Sequence, residues 1–200
     1  DMGLHVLAID YRGYGDSSWI SPSQTSMVED AKAALEWLQK HSHSSAEIFV
    51  WGHSLGTGVA SKLCSLTSED SNFDKVSGYV LEAPFNCMTD EVKSFKLSRL
   101  FPLLGLDITN ILRTADMTFD NLRNLELCKV PILILHGEDD SVIPFELASI
   151  LYHHLSARGV LATFKTFSKE ERLGHDGIFK SKELVTICET FLRSCSERAK

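Results

Sequence analysis

Short apolar runs alternate with amphipathic stretches along this chain. Leu4 to Asp10 (LHVLAID) and Pro131 to His136 (PILILH) are near-continuously apolar, as strands covered on both faces must be. Ile48 to Trp51, Gly78 to Ala83 and Leu161 to Phe167 read as three further strands. Ser26 to Lys40 carries Met27, Ala31, Ala34, Leu35 and Leu38 at helical spacing, with Glu29, Asp30 and Lys32 on the polar side; Ser26 and Glu29 have capping-box form. Helices are also predicted from about Thr57 to Thr67, from Pro144 to Ser156 with proline in the first turn, and from Phe179 to Ser194 with Leu184, Ile187, Phe191 and Leu192 on one side. Tyr11 to Ser18 is a glycine-rich loop, while His41 to Ser45 and Ser68 to Lys75 are polar connections. The alternation predicts an α/β fold, a mostly parallel sheet with flanking helices.

Pro84 to Lys129 breaks this rhythm. It is too long for an ordinary connection and holds Phe85, Phe95, Leu97, Leu100, Phe101, Leu103, Leu104, Leu106, Ile108, Ile111 and Leu112. The expectation is a helical excursion over the C-terminal edge of the sheet, a small cap-like insertion (84–129) within a single domain spanning 1–200. Ligands of open α/β sheets bind at that edge, and a leucine- and phenylalanine-rich cover suits an acyl chain.

Composition narrows the class. The net charge of −7 argues against nucleic acid as a partner. No run of about 18 apolar residues occurs, and no signal-peptide pattern opens the chain. The cysteine count is odd (Cys64, Cys87, Cys128, Cys188, Cys195) and no C-x-x-C is present, so buried free thiols are expected rather than a disulfide framework or a zinc site. Nothing calls for a cofactor or a metal.

The chemistry concentrates at Gly52-His53-Ser54-Leu55-Gly56. An apolar strand enters this G-x-S-x-G and a small-residue helix leaves it, the setting of a nucleophile elbow. Glycines beside Ser54 are expected because side chains there would collide with the adjoining strand and helix. The Leu55 N–H, at the helix start, would face a developing oxyanion. A serine needs a base, and the base needs an acid. The strand PILILH runs into Gly137-Glu138-Asp139-Asp140, and His175 follows the last strand between Gly174 and Asp176-Gly177. Nucleophile, acid and histidine thus sit at three strand exits in the chain order of an elbow hydrolase. The other histidines read as bystanders: His5 in a strand, His41 and His43 in a linker, His153 and His154 on a helix, His136 packing or hydrogen-bonding, His53 pointing away from the serine. No carboxylate–histidine cluster has metal-ligand spacing.

DYRGYGDS (Asp10 to Ser17), WGHSLGTGVA (Trp51 to Ala60), LEAPF (Leu81 to Phe85) and HGEDDSVIPF (His136 to Phe145) resemble the α/β-hydrolase-fold serine hydrolases. Within these they are similar to the lysophosphatidylserine and monoacylglycerol lipases grouped as α/β-hydrolase domain-containing protein twelve, and most to the form B branch. The resemblance implies Ser54 as nucleophile, Asp140 as acid, His175 as base and Leu55 as oxyanion donor. It implies hydrolysis of lysophospholipid or monoacylglycerol esters through an acyl-enzyme, at the endoplasmic reticulum membrane, with an anchoring segment outside this chain. It makes Leu4 to Asp10 the fourth strand of a sheet whose earlier strands, and an HG-containing loop with the second oxyanion N–H, are absent here. Ile48 to Trp51 is then expected to lack a neighbour, and these 200 residues to be a fragment or shortened form of low activity, or a non-catalytic chain that keeps the triad residues. Arg12, Lys93, Lys96, Arg99 and Arg113 are the basic side chains available to a phosphate head group, or plain surface charge.

Overall fold

The computed structural model describes residues 3–68, 70–94 and 107–198. Four strands, β1 (Ile48–His53), β2 (Val76–Glu82), β3 (Ile132–Gly137) and β4 (Ala162–Phe167), form one parallel sheet in the order β1-β2-β3-β4. The helices are α1 (Gln24–His41), α2 (Leu55–Thr67), α3 (Met88–Ser94), α4 (Ile108–Thr114), α5 (Asn121–Asn124), α6 (Phe145–Ala157) and α7 (Leu184–Arg198). Every residue of β3 is buried, which its unbroken apolar run requires of a strand with a neighbour on each side.

The strand period of two sorts the core onto two faces. Tyr79, Leu81, Ile132 and Ile134 pack with Leu35, Leu63, Leu151 and Leu155 of α1, α2 and α6. Val80, Leu133 and Leu135 pack with Phe191 and Cys195 of α7. Gly78 permits this closeness, since a Cβ there would meet the Phe191 ring at 3.1 Å. Cys64, Cys128, Cys188 and Cys195 are buried, Cys87 is half-buried, and all five are free.

Three sequence expectations are corrected. Leu4 to Asp10 is not a strand: it has no ladder partner among the described strands, and its side chains are exposed, Val6 by 86%. An apolar run becomes a strand only when another backbone satisfies its N–H and C=O groups, and β1 is an edge strand to which this segment does not pair. The capping box of α1 lies one turn earlier than expected: Ser23 is the N-cap, and Ser26 supplies the reciprocal side chain. Glu29 instead lies 3.4 Å from Arg12, whose guanidinium is held by Asp30 at 2.6 Å. Arg12 is therefore committed to α1 rather than to a phosphate. The closing helix also starts later than expected, because Ile178–Lys180 is a separate 3₁₀ turn.

The 84–129 excursion leaves and re-enters the fold side by side. Cys87 bridges Asp120, and the Met88 N–H donates to the Phe119 carbonyl at 2.9 Å. Phe85, Met88 and Phe119 pack with Met27, Val28, Val59, Ile143 and Leu147, a third core under the C-terminal edge of the sheet. The expected cap residues Phe95, Leu97, Leu100, Phe101, Leu103, Leu104 and Leu106, and the basic Lys96 and Arg99, lie outside the described residues.

Candidate active site

Ser54 stands between β1 and α2 with φ 52° and ψ −121°, a left-handed backbone that costs a non-glycine residue about 1–3 kcal/mol. The neighbouring structure holds it there. The Ser54 N–H donates to the Glu82 carbonyl at 2.9 Å, and the Ser54 carbonyl accepts from the Thr57 N–H at 2.9 Å and the Thr57 hydroxyl at 2.7 Å. Gly52 is compelled by the turn, since a Cβ would lie 2.3 Å from the Gly56 carbonyl oxygen. Gly56 is not: a Cβ there has nothing within 4 Å, so the expected collision exists on one side of the serine alone. Leu55 opens α2, and its N–H is among the helix-start donors that have no intrahelical acceptor.

His175 closes on Ser54 from the loop after β4. Its Nε2 lies 2.9 Å from the Ser54 Oγ, and its Nδ1 lies 2.7 Å from the Asp140 Oδ2. Positive φ at Gly174 (57°) admits the turn, and a Cβ on Gly177 would meet the Leu173 carbonyl at 2.1 Å. Of the acidic run after β3, Asp140 takes the ring and Asp139 takes the loop: both Asp139 oxygens accept the Gly174 N–H at 3.0 Å.

The Asp140 carboxylate is wholly buried. Burial alone would push its carboxyl up, but hydrogen bonds from His136, His175 and the Ile143 and Val142 N–H groups together outweigh it and hold the carboxyl well below its usual range. His136, itself fully buried, directs its Nε2–H at the Ile143 carbonyl (3.1 Å) and the Asp140 Oδ2 (3.3 Å). The His175 imidazole is raised, first by its hydrogen bond to Asp140, against burial, and further by the charges of Asp140, Asp176 and Glu82. Glu91 of α3 stands near enough to feel His175, which pulls its carboxyl down while burial pushes it up more strongly.

The residues named from sequence, Ser54, Leu55, Asp140 and His175, thus converge at one end of the sheet. His53 reaches the histidine loop, a contact outside the expectation that it points away from the serine. Its ring lies 4.9 Å from the His175 ring, and its Nε2 is 3.2 Å from the His175 carbonyl oxygen. The side chain follows the loop that packs on β1, which strand periodicity does not reveal. One ligand atom from each of His53, His175 and Asp176 lies within 4.8 Å of the others, a cluster that sequence spacing also hides. A cleft of about 600 Å³ between β3, β4 and α7, lined by Leu133, Lys165 and Phe191, contains none of the site residues.

The chain is 36% identical over 204 residues to "Lysophosphatidylserine lipase ABHD12" of Xenopus tropicalis, covering 98% of this chain and 52% of the relative. It is 37% identical over 155 residues to "Protein ABHD12B" of Homo sapiens, covering 76% of this chain and 42% of the relative. The chain therefore spans about half the length of the relatives it matches. Among solved structures it superposes on an alpha-beta hydrolase from Vibrio vulnificus with a TM-score of 0.69 at 21% identity, covering 93% of this chain and 61% of that one. It also superposes on the "Putative non-heme bromoperoxidase BpoC" of Mycobacterium tuberculosis at 0.65 and 20%, covering 93% and 80%. These establish the α/β-hydrolase fold. The Hydrolase_4 family model, described as "Serine aminopeptidase, S33", matches residues 1–120, and the chain belongs to that family of hydrolases.

Proposed function

We propose that this chain carries the catalytic triad of a serine hydrolase acting on acyl esters of lysophospholipids, with lysophosphatidylserine the leading substrate and monoacylglycerols a second class. The observation that carries the reading is the continuous contact from Ser54 Oγ through His175 to Asp140, at 2.9 and 2.7 Å. The names of the relatives at 36% identity support the lipid substrate.

In this reading Asp140 accepts the Nδ1–H and fixes the tautomer, so the Nε2 lone pair of His175 faces the serine. As Ser54 Oγ bonds to the ester carbonyl carbon, its proton passes to Nε2. The carbonyl oxygen gains charge and meets the Leu55 N–H. The C–O bond to the leaving alcohol breaks, Nε2 returns the proton to that alcohol, and an acyl-Ser54 remains. Water, deprotonated by the same nitrogen, releases the fatty acid and restores Ser54. The 84–129 segment serves as the cover of the acyl chain. The proposal extends to association with the endoplasmic reticulum membrane; no helix among the described residues is long and apolar enough to cross one.

The test is activity-based labelling with a fluorophosphonate, together with turnover of a panel of lysophospholipids and monoacylglycerols. Labelling of the wild type and not of Ser54→Ala, with lysophosphatidylserine hydrolysed fastest, is the expected result. A folded protein whose Ser54 stays unlabelled, or which turns over no ester, is not a hydrolase.

A further inference from the structure

We propose that His53, His175 and Asp176 form a binding site for a divalent transition-metal ion of the zinc class, and that the bound ion shuts off the triad by occupying its base. The clause on inhibition rests on the hydrolase reading above; the site itself rests on geometry alone.

Each of the three residues offers one donor atom, and these lie within 4.8 Å of one another. His53 Nε2 and Asp176 Oδ1 are 3.8 Å apart. Ligands about 2.0–2.1 Å from a tetrahedral zinc stand roughly 3.3 Å from each other, so this pair must close by about half an ångström and the other donors, up to 4.8 Å apart, by as much as about 1.5 Å. The side chain with most room to move is Asp176, 84% exposed, while His53 is 37% exposed and His175 10%.

Three features single this cluster out from chance neighbours. First, Asp140 already engages His175 Nδ1 at 2.7 Å, so the nitrogen left with a lone pair is Nε2. A carboxylate behind a histidine whose far nitrogen faces outward is the arrangement that orients metal-bound imidazoles. Second, His53 is held against His175 by a tilted ring contact, centroids 4.9 Å apart, and by the contact of its Nε2 with the His175 carbonyl. Moving the His53 proton to Nδ1 frees Nε2 for a metal, at the loss of that single hydrogen bond. Third, the surroundings are acidic, with Asp140, Asp176 and Glu82 all acting on the His175 imidazole.

Two imidazoles and one carboxylate suit zinc or copper; calcium and magnesium need more oxygen ligands than the cluster has. The lone pair such an ion would take is the one within 2.9 Å of Ser54 Oγ that would otherwise receive the serine proton. Metal binding and general-base function are therefore mutually exclusive at this nitrogen.

The test uses zinc chloride on metal-stripped protein, with calorimetry on Ser54→Ala and ester turnover on the wild type. Expected are one zinc per chain at micromolar concentration, turnover lost on zinc addition and restored by chelator. Magnesium should do neither. Asp176→Asn, an exposed change that spares the fold, should weaken zinc binding at least tenfold, and His53→Gln should abolish it with an unchanged circular dichroism spectrum. Zinc that binds these variants as tightly as Ser54→Ala, or fails to bind Ser54→Ala at 100 micromolar, overturns the site. Zinc bound at the site of a wild-type protein that hydrolyses no ester even when metal-free leaves the site standing and removes the hydrolase reading instead.

Discussion

Asp139 and Gly174 are joined across 35 positions of chain by one backbone donor shared between two carboxylate oxygens, each 3.0 Å away. This contact ties the exit of β3 to the histidine loop independently of Asp140, which grips the ring rather than the backbone. Adjacent aspartates thus divide the work of presenting one imidazole: one sets where the loop runs, the other sets which way the ring faces.

Asp139→Ala should therefore impair turnover without touching the triad. A displacement of the reacting group by about 1 Å can cost roughly 10²-fold in rate, and a loss of about ten- to a hundredfold in kcat/KM is expected. Asp139→Asn keeps one acceptor oxygen for Gly174 and should restore most of it. Steady-state ester hydrolysis by the two variants, alongside thermal melts, checks this; equal losses in both would remove the loop-anchoring role.

The pH profile follows from the sign of the His175 shift. The base works when neutral, and its imidazole is held above 6.5, chiefly by its hydrogen bond to Asp140. Turnover should rise with pH along a limb centred above 6.5. Removing the Asp140 charge with Asp140→Asn should lower the rate by roughly 10⁴, because the wrong tautomer then faces Ser54, and should move the residual limb to lower pH. The same shifts govern stability in opposite windows. The contribution of His175 is complete below 6.5 and lost as pH rises through its folded value. That of Asp140, whose carboxyl is depressed, is present above 3.8 and lost as pH falls through its folded value. Stopped assays from acid to alkaline pH on wild type and Asp140→Asn decide the matter; an unmoved limb would mean that another group titrates.

Much of this architecture was readable because burial on both faces leaves a mark. PILILH becomes β3 and GYVLEA the core of β2, since a strand between neighbours and under helices has little room for polar side chains; IFVW becomes the start of the edge strand β1, where Trp51 stays exposed. The elbow was readable because a turn this tight restricts residue choice at Gly52. What could not be read depended on partners distant in sequence. Leu4 to Asp10 has strand composition and no strand beside it. Ser23 outcompetes Ser26 for the cap because Ser26 can reciprocate, while Glu29 turns to Arg12. The orientation of His53 is decided by a loop 122 residues away. His136 was legible as a hydrogen-bonding histidine, but its reach to Asp140 depends on the turn through Ile143.

The two glycines of the elbow should respond in opposite ways. Gly52→Ala places a methyl 2.3 Å from one backbone oxygen and 2.6 Å from its carbon, atoms that cannot move without opening the start of α2. Overpacking of this kind costs about 1–3 kcal/mol or more, and the serine geometry goes with it. Gly56→Ala meets nothing within 4 Å and lies in α2, where alanine is favoured over glycine by roughly 0.5–1 kcal/mol. Thermal unfolding should show a large drop for the first and an unchanged or raised midpoint for the second. A strongly destabilised Gly56→Ala would mean that another surface covers that face of the elbow.

Asn121 connects the returning excursion to the nucleophile. It is fully buried, its Oδ1 accepts from the Ser61 hydroxyl at 2.6 Å, and its Nδ2 donates to the Phe85 carbonyl at 2.8 Å and to the Thr57 Oγ1 at 3.3 Å. Thr57 in turn donates to the Ser54 carbonyl at 2.7 Å, so the chain of donors ends on the strained peptide. Asn121→Leu matches the volume and removes every partner at once. An unsatisfied buried polar group costs about 1–3 kcal/mol, and the Phe85 carbonyl would be left as one, while the Ser61 hydroxyl keeps the Gly58 carbonyl at 3.0 Å. The expected result is a lowered melting midpoint together with slower fluorophosphonate labelling of Ser54, measured well below that midpoint so that unfolding does not contribute. Asn121→Asp keeps the acceptor for Ser61 but loses the donor to Thr57 and Phe85. If labelling slows as much in this variant as in Asn121→Leu, the donor side sets the serine geometry. A variant that melts early but labels at the wild-type rate would confine Asn121 to holding the fold.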